Sequence, residues 1–200
     1  MIKVVIVEDQ ALVRGAISTL LSLEDNIEVI AEAANGQEAL SLISNNNIDI
    51  LLTDIEMPLM TGIELAETLA NTHPAIKTVI MTTFSRSGYI KRALKAGVMG
   101  FILKEADSDE LVAAINKVYR GTKVFDAELA LCALDDNDPL TEKERKALKL
   151  ASDGLKTAEI AEKLFLSQGT IRNYLSEAIA KLNATNRVDA ARIARQKGWL

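Results

Sequence analysis

Ile2-Lys3-Val4-Val5-Ile6-Val7-Glu8-Asp9 and Ile48-Asp49-Ile50-Leu51-Leu52-Thr53-Asp54 decide the fold. Each is a short apolar run, rich in β-branched residues and leucine, that stops on acid. Such runs read as strands buried on both faces of a parallel sheet. Working outward, comparable runs recur at Ile27–Ala33, Ile76–Thr82 and Gly100–Leu103. Helical spacing fills the gaps over Ala11–Leu23, Gln37–Ser44, Gly62–Asn71, Tyr89–Ala96 and Ser108–Arg120. Asn35 with Glu38, Thr61 with Glu64 and Asp107 with Glu110 place a capping oxygen three residues before an acid at helix starts. Strict alternation predicts an α/β domain with right-handed crossovers and helices on both faces. Five such units fit a doubly wound (βα)5 sheet of order 2-1-3-4-5.

In that topology ligands sit beyond the carboxyl ends of the strands, where the winding reverses. Glu8, Asp9 and Asp54 would meet there, each resisting ionisation beside the others. A hard divalent cation such as Mg²⁺ is the economical remedy, since it favours carboxylate oxygen and retains water for a phosphoryl group.

Charge divides the chain. Residues 1–137 hold 11 Lys+Arg against 20 Asp+Glu, and residues 138–200 hold 12 against 8, so a basic segment with an anionic partner follows an acidic one. No apolar run approaches the ~20 residues that span a bilayer. The amino terminus enters a strand at once, without a signal or transit pattern, and the expected location is cytoplasmic. Cys132 and His73 are each the single residue of their type, which argues against a disulfide framework and a His-based catalytic site. No Gly-x-x-x-x-Gly-Lys phosphate loop occurs.

Gly121 ends the fifth helix, and Thr122–Pro139 reads as a linker with a brief helical segment over Ala127–Leu134. The expected boundaries are 1–121 for the front domain, 122–138 for the linker and 139–200 for the back domain. Thr141 with Glu144 opens a helix by a capping box, and Gly154 closes it. Thr157–Leu164 forms a second helix, a tight turn follows, and Ser167 caps a third. On that helix Ile171, Leu175, Ala178 and Leu182 share an apolar face, with Arg172, Asn173, Ser176 and Lys181 opposite. Two helices joined in this way are an all-α helix-turn-helix, whose second helix enters the major groove of DNA.

Glu8-Asp9, Asp54-Ile-Glu-Met-Pro58, Met81-Thr82-Thr83 and Gly100-Phe-Ile-Leu-Lys104 together resemble the receiver domain of bacterial two-component response regulators. The resemblance implies that a sensor histidine kinase phosphorylates Asp54. It implies Mg²⁺ bound by Asp9 and Asp54, by Glu8 mainly through water, and by the backbone carbonyl of Glu56. Thr82 and Lys104 would hold phosphoryl oxygens, and Thr82 with Phe101 would form the switch. Electrostatics independently favours these roles: metal charge and the Lys104 ammonium offset the negative charge that gathers as a carboxylate attacks an anionic phosphorus.

Leu140-Thr-Glu-Lys-Glu-Arg145, Gly154 to Leu164, Leu166-Ser-Gln-Gly-Thr-Ile-Arg-Asn-Tyr174 and Lys181 to Arg187 resemble the LuxR-type (NarL/FixJ) DNA-binding domain. By position Arg172 and Asn173 are the expected base contacts on promoter DNA. Ser176 and Lys181 share their face, while Thr170, Asn186 and Arg187 are expected at phosphates. The last helix, with Val188, Ala191 and Ala194, is similar to the family's dimerisation surface. Glu8-Asp-Gln10, Thr82-Thr-Phe84, Ser87-Gly-Tyr89 and Gly198-Trp-Leu200 look similar to Gram-positive regulators of membrane fluidity or envelope stress. The resulting expectation is not an enzyme but a transcription factor that forms a homodimer on phosphorylation. Two alternatives stand beside it. A LuxR-type regulator independent of phosphorylation would have lost its acidic pocket. A haloacid-dehalogenase-like phosphatase would carry Asp two residues after its nucleophile, where this chain has Glu56.

Overall fold

The computed structural model describes residues 1–83, 87–125 and 138–200, in two compact units. The expected helical segment at 127–134 lies outside the described residues. In the larger unit the strands are β1 (Ile2–Val7), β2 (Ile27–Ala33), β3 (Ile50–Asp54), β4 (Lys77–Thr82), β5 (Gly100–Leu103) and β6 (Val124–Phe125). All neighbouring pairs are parallel, in the order β2-β1-β3-β4-β5-β6. The helices are α1 (Ala11–Leu21), α2 (Gly36–Ile43), α3 (Gly62–Thr72), α4 (Ser87–Lys95), which belongs to this unit from Ile90 on, and α5 (Ser108–Tyr119).

Alternation along the strands builds two apolar layers. Val4, Ile6, Ile50, Leu52, Val79, Met81 and Ile102 point to one face and pack with Leu21 of α1 and with Leu111, Ile115 and Val118 of α5. Val5, Val7 and Leu51 point to the other, against Ala39 and Ile43 of α2 and Leu65 and Leu69 of α3. Each fully buried leucine or isoleucine here contributes roughly 1.5–3 kcal/mol of transfer free energy.

Two departures from the sequence reading have local causes. Asp49, expected inside the third strand, precedes it, because its Oδ2 accepts the Lys3 N–H at 2.9 Å. Val124–Phe125, expected in the linker, extends the sheet beside β5: the Val124 N–H donates to the Met99 carbonyl at 2.9 Å, and Phe125 pairs with Phe101. The front architecture therefore runs on past residue 121.

The smaller unit holds α6 (Glu142–Ser152), α7 (Thr157–Lys163), α8 (Gln168–Lys181) and α9 (Arg187–Gln196). Its core joins Leu148 of α6, Ile160 of α7, Ile171, Leu175 and Ala178 of α8, Ala190, Ala191 and Ala194 of α9, and Leu182 and Trp199. The face expected from helical spacing on α8 is the buried one. Of the three residues expected on a dimerisation surface, Ala191 and Ala194 lie in this core, and Val188 alone is exposed. No described helix is long and apolar enough to cross a membrane.

Candidate functional site

Parallel pairing brings the carboxyl ends of β1, β3 and β4 to one edge of the sheet. Val7 is level with Thr53, and Asp54 with Met81. Glu8 and Asp9 therefore continue β1 beside Asp54, the last residue of β3, and Thr82 ends β4 next to it. A carboxylate oxygen from each of Glu8, Asp9 and Asp54 lies within 4.8 Å of the others. Glu8 and Asp54 are buried, and Asp9 is exposed.

Lys104 follows β5, where its N–H donates to the Thr82 carbonyl at 2.9 Å. Its Nζ lies 2.9 Å from Oδ2 of Asp54 and 2.6 Å from Oε2 of Glu8. Asp54 is oriented by a second contact, the Ile55 N–H donating to Oδ1 at 2.7 Å. Oε1 of Glu8 accepts the Gln10 N–H at 3.2 Å, and Arg14 donates to the Glu8 carbonyl at 2.5 Å. Glu8 Oε2 is buried, and Lys104 is its partner among the described residues.

Burial pushes the carboxyls of Glu8 and Asp54 up, and Lys104 offsets only part of that; Asp54 adds to the rise at Glu8, and Asp9 to the rise at Asp54. Burial alone would lower the Lys104 ammonium, yet its hydrogen bonds to Glu8 and Asp54 outweigh it and raise it above the usual lysine value. The pocket thus holds acid at a free-energy cost that further positive charge would relieve. Its donors are all carboxylate oxygens, the hard ligands that suit a hard divalent cation, so the residues present fit a metal.

The loop after β3 carries Glu56, whose side chain is exposed, then Pro58 and Leu59, the latter at φ 67°. Thr61 caps α3 through a full capping box with Glu64, which returns the chain at Gly62. There the Gly62 N–H donates to the Ile55 carbonyl at 3.0 Å. Thr82 is buried, and Phe101 on β5 is 1% exposed. The partnership of Glu8 with Lys104 was not anticipated from the sequence.

In the smaller unit Arg172, Asn173 and Ser176 are exposed along α8. Thr170 is half-buried, with its hydroxyl 2.9 Å from that of Ser167. Lys181 donates to both carboxylate oxygens of Glu144 at 2.8 Å, joining the end of α8 to the start of α6. Asn186 caps α9, its Oδ1 accepting the N–H groups of Val188 and Asp189. The spacing of Asn186 and Asp189 carried that signal. Arg187 opens α9 and is exposed. Arg172, Asn173, Ser176 and Arg187 are thus exposed, as are Lys181, which also ties α8 to α6, and Asn186, which caps α9.

Comparison with known proteins agrees with both units. Residues 4–116 match the response regulator receiver domain, and residues 138–194 match the bacterial regulatory proteins of the luxR family. The chain is 46% identical over 200 residues to the transcriptional regulatory protein YvfU of Bacillus subtilis, covering all of both. It is 42% identical over 199 residues to the transcriptional regulatory protein DesR of the same organism, covering all of this chain and 99% of that one. Among solved structures it resembles a LuxR-family DNA-binding response regulator from Staphylococcus aureus, with 39% identity, a TM-score of 0.58 and coverage of 60% of this chain and 99% of that one. The receiver match alone covers more than half of the chain, and the chain belongs to the response regulators that join a receiver domain to a LuxR-type DNA-binding domain.

Proposed function

We propose that this response regulator is switched by phosphorylation of Asp54 and, once phosphorylated, binds promoter DNA as a homodimer. The observation that carries this reading is Asp54 held beside two further acids and Lys104 at one edge of the sheet. The donor is a sensor histidine kinase in the cytoplasm. An Asp54 carboxylate oxygen forms a bond to phosphorus as the donor's phosphorus–nitrogen bond breaks, and the imidazole leaves as the neutral base after taking a proton.

Asp9, Asp54 and the backbone carbonyl of Glu56, with Glu8 through water, would hold Mg²⁺, which would supply positive charge to the transferring group. The chain's own residues do the rest. The Ile55 N–H fixes the Asp54 carboxylate, leaving Oδ2 on the Lys104 side. The Lys104 ammonium and the Thr82 hydroxyl hold phosphoryl oxygens. Thr82 and Phe101 then pass the change to the β4–β5 end of the sheet, a two-state element whose balance the phosphoryl group biases.

On DNA, α8 lies in the major groove, where Arg172 and Asn173 contact base edges and Ser176 lies on the same face. Arg187 contacts phosphate, as does Thr170. Lys181 and Asn186, both exposed, support that surface through Glu144 and the start of α9. Retention gels on a cognate promoter fragment, with and without acetyl phosphate, test the switch. Tighter binding after phosphorylation supports it, and equal binding favours a regulator independent of phosphorylation.

A further inference from the structure

Arg14 lies in the first turn of α1, a helix that Gln10 opens without a side-chain cap and that has no acid in that turn. A cation there opposes the helix dipole, so helix formation does not account for it. Its guanidinium reaches back to the sheet instead. Nη1 donates to the Glu8 carbonyl at 2.5 Å, and Nε lies 3.5 Å from Oε2 of Glu32 near the end of β2. The Glu8 N–H, for its part, donates to the Ala33 carbonyl at 3.0 Å. Both backbone polar groups of Glu8 are therefore held, one by β2 and one by α1. Asp9 comes next and is the exposed acid of the three. Its carboxylate makes no hydrogen bond or ion pair with a described residue, so the backbone on either side fixes where it points. The peptide joining Glu8 to Asp9 is planar, and a hold on the Glu8 carbonyl thereby orients Asp9 as well.

We infer that Arg14 is a positioning residue for the divalent cation: by fixing the peptide between Glu8 and Asp9 it keeps the Asp9 carboxylate turned toward Asp54 before the cation arrives. This rests on the metal-dependent reading above and adds to it the residue that prepares the site. Without the guanidinium that peptide is free to turn, and acids that repel one another move apart. A cation must then gather them as it binds, and its affinity falls. The sign separates this role from a purely electrostatic one. Arg14 is positive, so removing its charge alone would draw a cation more strongly to the pocket. Removing it as a support weakens the site.

The test is Mg²⁺ binding to the full-length protein by titration calorimetry, for the wild type and Arg14→Met. Methionine keeps much of the apolar stem and the helix propensity, and it loses the donors and the charge. Arg14→Met should bind Mg²⁺ about tenfold more weakly. The Mg²⁺ concentration that half-saturates labelling of Asp54 by acetyl phosphate should rise by the same factor, a shift that a loss of stability alone would not produce. A cooperative thermal transition in EDTA shows that the variant is folded. Should Arg14→Met not fold, Arg14→Gln, also uncharged and two bonds too short to reach the carbonyl, carries the same expectation. Equal or tighter Mg²⁺ binding by the folded variant overturns the positioning role alone. No Mg²⁺ binding by the wild type overturns the metal reading with it.

Discussion

Gly62 lies against the backbone of Asp54 so closely that a Cβ added to it would stand 1.9 Å from the Asp54 carbonyl oxygen and 2.9 Å from Oγ1 of Thr53. The loop after β3 can return under the pocket only because this position lacks a side chain. Gly62→Ala must displace the end of β3 or the start of α3. It should cost about 1–3 kcal/mol in denaturant unfolding and slow the labelling of Asp54. A variant with unchanged midpoint and labelling rate would show that the loop adjusts without moving the acid.

Glu144 and Lys181 hold the DNA-binding unit together. Burial raises the Glu144 carboxyl, but Lys181 and the Thr141 N–H outweigh it, and the group sits below its ordinary value of 4.5. The folded form binds this proton less tightly than the unfolded form, so the stabilisation is present above about 4.5 and is lost as pH falls through the lowered folded value. Glu144→Ala removes the ion pair and half of the capping box, and should cost about 2 kcal/mol at neutral pH. The fluorescence of Trp199, the single tryptophan and part of this unit's core, reports the transition. The difference between variant and wild type should shrink as the pH is lowered below 4.5, and a constant difference would count against the linkage.

Arg172 and Lys181 should separate in DNA binding. Arg172 projects from α8, so Arg172→Ala should weaken binding to a cognate site by about 1–3 kcal/mol and relax discrimination at one base position. Lys181→Ala should mainly lower the stability of the unit and leave sequence discrimination intact. Competition binding at fixed salt with single-base operator variants distinguishes them. Equal loss of discrimination in both would return Lys181 to the base-reading surface.

Phe165 stands in the turn between α7 and α8 at φ 56°, with 94% of its surface exposed. A bulky side chain is strained there and buries little in exchange. Phe165→Asn, which tolerates this region, should stabilise the unit by about 0.5–1 kcal/mol in urea unfolding followed by Trp199. A loss of stability would mean that Phe165 makes contacts its exposure does not suggest.

What was legible in the chain follows the range of the interactions. Caps depend on residues three apart, and Asn35, Thr61, Asp107, Thr141 and Ser167 all accept the expected N–H bonds. Strand faces depend on alternation, and β1, β2 and β5 have the bounds that alternation and composition suggest. The sixth strand left no trace because two residues, Val124 and Phe125, carry no period. Charges on a helix face were ambiguous for another reason. Arg172 and Lys181 look alike in sequence, and only the partner 37 residues away, Glu144, separates them. The Glu8–Lys104 pair was invisible in the same way, since strand order rather than local pattern brings its members together. The close approach of Gly62 to the carbonyl of Asp54, the acid at the centre of the site, likewise required the fold.

The central claim is that Asp54 accepts the phosphoryl group, and mass spectrometry of the intact protein incubated with acetyl phosphate and Mg²⁺ tests it most directly. The wild type should gain one phosphoryl group, and Asp54→Asn, nearly equal in volume but without a carboxylate, should gain none. Full labelling of Asp54→Asn would place the acceptor elsewhere and contradict the account.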